Sequence, residues 1–441
     1  MKNRKFMFLG ALSAIVAASL TFNATLFAKD AAQGSAGQPT VEASRLQALA
    51  KFTKVLGIVE KYNVDNLTIE ELMDKSLKGM MTNLDAHSSY LDSKGFENLK
   101  VQTNGEFGGL GITVGMKDGA LMVIAPIEGT PADKAGMKAG DFILKINDKS
   151  TLGMGLDDAV NIMRGKKGDP IDLTIVREGE LRPLSIHIIR DIIQIESVYT
   201  KTIDEKILYI RVTSFDKKVV EGVSTAIKKH QADTKGIILD LRNNPGGLLD
   251  QAVGLVDLFV SSGDIVSQKG RDARENETYS AHADKTLTNV PLIVLVNGGS
   301  ASASEIVSGA LQDQKRGVIL GTKTFGKGSV QVILPITETE AIKLTVARYY
   351  LPSGRTIQAV GVTPDINVLA GAVDTHENNF SLKESDLKQH LESELQKVDG
   401  KKKKSEASQD DKTIITPEQL TQDIQLKEGT DIIKALIITK G

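Results

Sequence analysis

Few side chains in this 441-residue sequence could do covalent chemistry. Cysteine is absent, which excludes thiolate catalysis, disulfides, iron–sulfur clusters and Cys-ligated zinc. The histidines (His87, His187, His230, His282, His376 and His390) are scattered, with no paired spacing and no HExxH run, so no metal is expected. His187 lies between Ile186 and Ile188, where alternation turns it to solvent, and only His282 lies near the glycine-rich core motifs. Gly326-Lys327-Gly328-Ser329 lacks the upstream glycine of a phosphate-binding loop. Serine remains. Ser302 opens a predicted helix whose apolar face is Ile306, Val307, Ala310 and Leu311. Ser302-Ala303-Ser304-Glu305 is also a capping box, and on the pattern alone the hydroxyl reads as a helix cap. A nucleophilic serine needs a base, and Lys327 follows 25 residues later, between two glycines and beside Phe325. A lysine led into a packed site loses hydration, its pKa falls, and the neutral amine can take a serine proton.

The elements that must position these groups alternate between strand and helix. Ile207 to Val212, Gly236 to Leu241 and Pro291 to Val296 are apolar strand runs, each followed by a helical or glycine-rich stretch. That order is the α/β signature. Two glycine-rich junctions, Asp240 to Gly247 and Asn297 to Glu305, each follow a strand and open a helix. Ligands collect at such positions in open α/β sheets.

Residues 104–193 read as short strands around one helix, with Ile112, Val114, Leu121 and Val123 on strands and Leu156, Val160 and Met163 on a helical face. The stretch resembles a PDZ domain through Gly108-Gly109-Leu110-Gly111-Ile112, Gly129-Thr130-Pro131-Ala132 and Ala135 to Asp141. The resemblance implies that the loop Gly108, Gly109, Leu110, Gly111, Ile112 receives a peptide C-terminus on exposed backbone N–H groups. Arg164, at the end of the helix, is a candidate for pairing with that peptide or with the core.

Basic residues number 54 against 56 acidic ones, a balance that gives no reason to expect nucleic acid as a partner. Lys2, Arg4 and Lys5 ahead of the apolar run Phe6 to Leu20 read as an export signal over residues 1–28. The expectation is a periplasmic protein, soluble after cleavage or held to the inner membrane by an uncleaved segment. Residues 29–42 form a small, polar linker, and 43–103 a helical region with Leu46, Leu49, Phe52, Val55 and Leu56 on one face. So short a helical pair must pack on another element or a second copy. In the tail, 371–441, a helix is expected over Leu382 to Leu395, then a solvated linker around Lys401 to Lys404. The apolar stretch Ile432 to Ile438 should dock, and a homodimer through the terminal helical regions is one outcome.

Gly299 to Ile306, followed by Gly321 to Gln331, resembles the carboxyl-terminal processing (tail-specific) proteases, exported serine peptidases with a Ser–Lys dyad. Leu84 to Leu91, Leu351 to Gln358 and Pro364-Asp365-Ile366 agree, so that the match spans about residues 45–370. The resemblance implies an α/β core of crotonase- or Clp-protease-like layers over 194–370, an inserted PDZ-like α+β domain and N-terminal helices. It implies Ser302 as nucleophile, Lys327 as base, Gln331 as the group orienting the lysine, and backbone N–H groups of Ala303 and of Gly246-Gly247 as the oxyanion hole. On a straight strand Lys327 and Gln331 would be roughly 13 Å apart, so their contact requires a bend near Gly328. Asp313 sits where some members carry an acidic residue, about 16 Å along a straight helix from Ser302, which favours a structural role. No cofactor is implied. Partners would be unfolded or C-terminally exposed proteins, with an activating or adaptor protein as a further expectation. Two alternatives stay open: a catalytically silent PDZ-bearing scaffold, and a crotonase-like acyl-CoA enzyme.

Overall fold

The computed structural model describes residues 41–372 and 413–440. The predicted signal, nearly all of the linker after it, the helix expected over 382–395 and the lysine run lie outside the described residues. The chain divides into two compact units, 1–80 and 81–441.

In the first unit the helix Val41–Tyr62 is followed by the start of Ile69–Thr82. The second helix is capped reciprocally: Glu71 N–H donates to Thr68 Oγ1 (3.2 Å) and Thr68 N–H to Glu71 Oε2 (2.8 Å). Leu56 and Leu72 are buried, but Leu46, Leu49, Phe52 and Val55 of the predicted apolar face are exposed.

The core of the second unit is a six-stranded sheet in the order Val198–Ile203, Ile207–Val212, Gly236–Asp240, Leu292–Val296, Val318–Gly321, Ile366–Asn367. The first pair is antiparallel and the others are parallel. Strands buried on both faces need apolar residues at every position, which is why their sequences read as unbroken runs. Alternation then sorts them. Leu208, Ile210, Ile237, Leu239 and Val294 pack under the helices Val219–Lys229, Leu249–Asp257 and Ala303–Asp313. Tyr209, Ile238, Ile293, Leu295 and Leu320 point the other way, where Leu426 and Ile433 of the helix Ile424–Lys440 cover them. The apolar stretch near the C-terminus therefore docks on this chain's own sheet. Each such buried aliphatic side chain contributes roughly 1.5–3 kcal/mol.

A second sheet is built around the strand Ala341–Tyr350, which pairs with Ser89–Leu91, Asp264–Gly270 and Ser329–Pro335. The PDZ-like sheet runs Ile112–Lys117, Ala120–Pro126, Phe142–Ile146, Pro170–Val176, Leu184–Ile189. With the helices Pro131–Lys134 and Leu156–Met163 it closes over a separate core that includes Leu121, Val123, Ile143 and Leu173. Its entry strand Glu106–Gly109 pairs antiparallel with its exit strand Asp191–Gln194, forming a two-stranded stem. Buried Arg190, at the head of the stem, donates to the carbonyls of Ile162, Met163 and Pro170, so it caps the C-terminus of the helix Leu156–Met163. Among the described residues no helix is long and apolar enough to cross a membrane.

Candidate active site

Three loops meet at the carboxyl ends of adjacent parallel strands: 241–247, 297–302 and 322–328. Side chains and backbone lock them together. Ser300 Oγ donates to the Leu241 carbonyl (2.8 Å), Asn243 N–H to Asn297 Oδ1 (2.9 Å), and Phe325 N–H to the Ser300 carbonyl (3.0 Å). Fully buried Asn244 joins the first two loops, its carbonyl accepting from Ala301 N–H (3.0 Å) and Ser304 Oγ (2.9 Å).

Ser302 stands at the N-terminus of the buried helix Ala303–Asp313 with φ 54° and ψ −111°. A non-glycine residue there is strained by about 1–3 kcal/mol, as in the strand-to-helix elbows that expose nucleophilic serines. The expected capping box forms on its carboxylate side, with Ser302 N–H donating to Glu305 Oε2 (2.8 Å). The Glu305 N–H donates to the Ser302 carbonyl (2.9 Å), and the hydroxyl makes no cap hydrogen bond. Glu305 does more than cap. Its Oε1 accepts from Thr324 Oγ1 (2.5 Å) and Gly326 N–H (2.7 Å), and its Oε2 also accepts from Lys327 N–H (2.8 Å). One fully buried carboxylate thus holds the backbone of both Ser302 and Lys327. Burial pushes the Lys327 amine below the ordinary lysine value, the Lys343 ammonium pushes it the same way, and Glu305 pulls against them. In this arrangement no hydrogen bond joins Ser302 Oγ to Lys327 Nζ among the described residues.

A glycine turn lies against the serine. Gly246 and Gly247 have φ of 100° and 150°. A Cβ at Gly246 would lie 2.9 Å from Ser302 Cβ and 3.0 Å from Ala303 N, so only glycine lets this loop approach the elbow. Phe215 brackets the turn, donating to the Gly246 carbonyl (3.0 Å) and accepting from Leu248 N–H (2.8 Å). Among the described residues neither the Gly247 nor the Ala303 N–H has a protein acceptor. The Gly246 N–H differs from the expectation, because Asn244 Oδ1 occupies it (2.9 Å).

The other predicted residues have partners elsewhere. Gln331 does not hydrogen-bond to Lys327; its amide donates to Ser329 Oγ (2.9 Å) and Thr345 Oγ1 (3.2 Å), with a bulge in the strand at Val330/Gln331. Thr345 Oγ1 in turn donates to Asp85 Oδ1 (3.2 Å). The Ser88 hydroxyl is the main cause holding the Asp85 carboxyl down at about 2. Asp313 has a structural role, accepting from Ser353 N–H (3.0 Å) and pairing with Arg355 (2.9 Å). His187 and His282 are exposed, bonded to Asp172 and Asp257 respectively. No cluster suited to a metal ion occurs among the described residues.

In the PDZ-like domain a groove of about 330 Å³ is lined by Leu110, Ile112, Val114, Val160 and Met163, with Arg164 also contributing. Gly108 and Gly109 belong to the stem, while the Leu110 and Gly111 N–H groups have no protein acceptor among the described residues. Arg164 donates to Asn98 Oδ1 (2.7 Å), on the helix Ser93–Asn104, and its guanidinium lies 5.4 Å from the Phe107 ring centroid.

Sequence reasoning assigned Glu305 to the cap and did not mark its bridging role or the parts played by Asn244 and Thr324. The available signal was a charged residue inside an otherwise apolar helix face, next to Ile306 and Val307. Glu305→Gln supplies one acceptor oxygen where two are used, and turns an NH2 toward two of the donors. Differential scanning and steady-state kinetics on Glu305→Gln should show a lowered Tm and a kcat reduced at least tenfold; wild-type values in both would remove Glu305 from the site's framework.

Residues 206–368 match the model of peptidase family S41, and residues 122–177 match that of the PDZ domain. The chain is 41% identical over 402 residues to the carboxy-terminal-processing protease of Bartonella bacilliformis, covering 90% of both chains. It is 34% identical over 367 residues to the carboxy-terminal processing protease CtpA of Bacillus subtilis, covering 82% of this chain and 76% of the relative. Among solved structures, a photosystem II D1 C-terminal processing protease aligns with 72% of this chain and 92% of its own, at 27% identity and a TM-score of 0.42. With a catalytic-family match over the layered core and a PDZ match over the inserted sheet, the chain belongs to the carboxy-terminal processing proteases, serine peptidases of family S41.

Proposed function

We propose that the chain is an exported endopeptidase that takes protein C-termini in its PDZ-like groove and cleaves by a Ser–Lys acyl-enzyme mechanism. The observation that carries this reading is the shared carboxylate: the strained Ser302 elbow and the base-bearing loop hang on the same Glu305 oxygen. Lys327 swings into hydrogen-bond reach when substrate binds, as catalytic pairs often tighten only in the Michaelis complex. Its neutral amine takes the Ser302 hydroxyl proton as Oγ bonds to the scissile carbonyl carbon. The oxyanion so formed accepts from the Ala303 and Gly247 N–H groups, free donors at the elbow. Collapse breaks the C–N bond, and the Lys327 ammonium returns its proton to the leaving amine. Water, deprotonated by Lys327, then attacks the ester, and collapse of the second tetrahedral adduct returns the proton to Ser302 Oγ and frees the new carboxyl end. Gln331 acts on this cycle through the strand it shares with Ser329 rather than by direct contact with the lysine.

The basic start and apolar run of residues 1–28 support export, and mass measurement of the mature N-terminus tests it. The exposed face of Leu46, Leu49, Phe52 and Val55 supports a homodimer through the first helix; the last helix is committed to the chain's own sheet.

Removing the hydroxyl should abolish turnover without unfolding the protein. Ser302→Ala and Ser302→Gly are expected to be equally inactive toward a peptide substrate. The glycine variant should unfold at higher temperature than the alanine variant, because its backbone relieves about 1 kcal/mol or more of elbow strain. Turnover near wild type in either would return Ser302 to a structural role.

The pH dependence has a definite sign. The active base is the neutral amine, so the rate should rise with pH, with a midpoint below the roughly 10.4 of a free lysine. Lys343→Gln removes a positive neighbour, raises the Lys327 pKa and should move that midpoint to higher pH. A midpoint that moves down or stays put would count against Lys327 as the titrating base.

Recognition is tested with one peptide in two forms, with a free and with an amidated C-terminus. The free Leu110 and Gly111 N–H groups and the apolar groove favour the carboxylate form, which should show the lower KM. Equal KM values would separate the groove from substrate capture.

A further inference from the structure

The oxyanion loop 241–247 is anchored at its far end by a residue from the last part of the chain. Arg242, which begins the loop's turn, is partly buried, and every N–H of its guanidinium has an acceptor. Its Nε donates to Asp240 Oδ1 (3.0 Å) and Oδ2 (3.1 Å), and its Nη2 to Asp240 Oδ2 (2.7 Å) and Asp423 Oδ2 (2.7 Å). Its Nη1 donates to Asp423 Oδ1 (2.8 Å) and Gln425 Oε1 (3.1 Å). Asp423 sits just before the helix Ile424–Lys440 and accepts from Leu426 N–H through Oδ1 (3.1 Å), so one carboxylate serves both the helix start and the loop. Burial opposes charge on both partners, and the paired hydrogen bonds outweigh it: Asp423 is held below its ordinary value and Arg242 above.

From Arg242 onward the loop has little slack. Asn243 is left-handed at φ 57° and its N–H is bonded to Asn297; Asn244 holds Gly246 N–H and reaches back to the Val212 carbonyl (2.8 Å). Phe215 grips both sides of Gly247. The direction in which the Gly247 N–H points is therefore set between two anchors, Phe215 at one end and Arg242 at the other. We propose that Asp423 is a positioning residue for catalysis, aiming the Gly247 N–H at the developing oxyanion through its forked pair with Arg242. The proposal rests on the reading of Gly247 as an oxyanion donor, and it ties one residue, just ahead of the helix that covers the far face of the sheet, to the aim of that donor. A planar, bidentate pair transmits orientation as well as charge, which a single contact does not.

The test uses the full chain and three variants. Asp423→Asn keeps the shape and the helix-start acceptor but removes the charge and one arm of the fork, and Asp423→Glu keeps the charge. Ile433→Ala loosens the same helix, at a fully buried position, without touching Arg242. Complete loss of one oxyanion donor lowers kcat by about 100–1,000-fold, so a misaimed one should lower it by roughly 10–100-fold. For Asp423→Asn the expected result is a fall of that size in kcat with KM changed less than about threefold. Its affinity for a peptide aldehyde, whose hemiacetal with Ser302 carries the oxyanion, should fall by a similar factor. Asp423→Glu should recover part of both losses, and Ile433→Ala should lower Tm while leaving kcat near wild type. The proposal is overturned if Asp423→Asn keeps wild-type kcat and aldehyde affinity, or if Ile433→Ala loses kcat as Asp423→Asn does, which would make the effect one of stability alone. Failure of the serine mechanism on which the oxyanion reading itself depends looks different: Ser302→Ala would then retain turnover and wild-type aldehyde affinity.

Discussion

The arrangement depends on one buried carboxylate. Glu305 has no solvent contact, and a carboxylate in that position is tolerable only when its lone pairs are taken up by donors. Four donors do so, and they come from the elbow and from the 324–327 loop. The energy that compels the carboxylate to be satisfied therefore also compels the two loops to meet. Because Ser302 N–H and Lys327 N–H share the same oxygen, the main chains of the proposed nucleophile and base are separated by little more than two hydrogen bonds. What stays adjustable is the lysine side chain, whose flexible stem can approach or leave the hydroxyl while its anchor stays in place.

Around that centre the fold works by alternation. In the parallel strands alternate positions serve two different cores, one under the helices Val219–Lys229, Leu249–Asp257 and Ala303–Asp313 and one under the last helix. A register error of one residue would exchange the two sets, so the apolar runs specify the layers as well as the strands. The PDZ-like domain stands outside this scheme with a core of its own, joined through a two-stranded stem. Residues beside that stem also reach the protease core: Lys218 Nζ donates to the Gly105 carbonyl (2.7 Å), and Ser197 to Asp216, next to the Phe215 that brackets the oxyanion turn. The stem of the PDZ-like domain and the proposed oxyanion turn are thus linked by hydrogen bonds without sharing a core.

Much of this was legible in the sequence, and the remainder divides by distance along the chain. The strands Ile207–Val212, Gly236–Asp240 and Leu292–Val296 are apolar runs, the last two ended by glycine-rich turns, a local signal, and each lies where the pattern predicts. Ser302 was also marked by a local pattern, as a helix cap, although its left-handed backbone was not. What escaped were interactions between residues far apart. Nothing in Asp423 or Arg242 alone indicates that a carboxylate 181 positions away completes the guanidinium's shell. Gln331 turns to Ser329 and Thr345 because a bulge in its strand sets its side chain, and bulges leave little trace in composition. Gly246 and Gly247 look equivalent as letters. Only the side chain of Asn244, folded back on its own loop, decides which N–H is free.

The last helix also bears on the order of events at the ribosome. Every strand of the central sheet is complete by Asn367, whereas, among the described residues, the C-terminal ones that cover its second face run from Ile415 to Ile437. At about 5–20 residues per second, roughly 4–14 s separate the two during elongation. Through that interval Tyr209, Ile238, Ile293, Leu295 and Leu320 lack the cover that Leu426 and Ile433 give them. A nascent chain in this state presents a flat apolar surface to whatever binds such surfaces. Holding factors that recognise exposed strands have their window there, and a chain stalled before Leu426 would emerge without the last helix on its sheet.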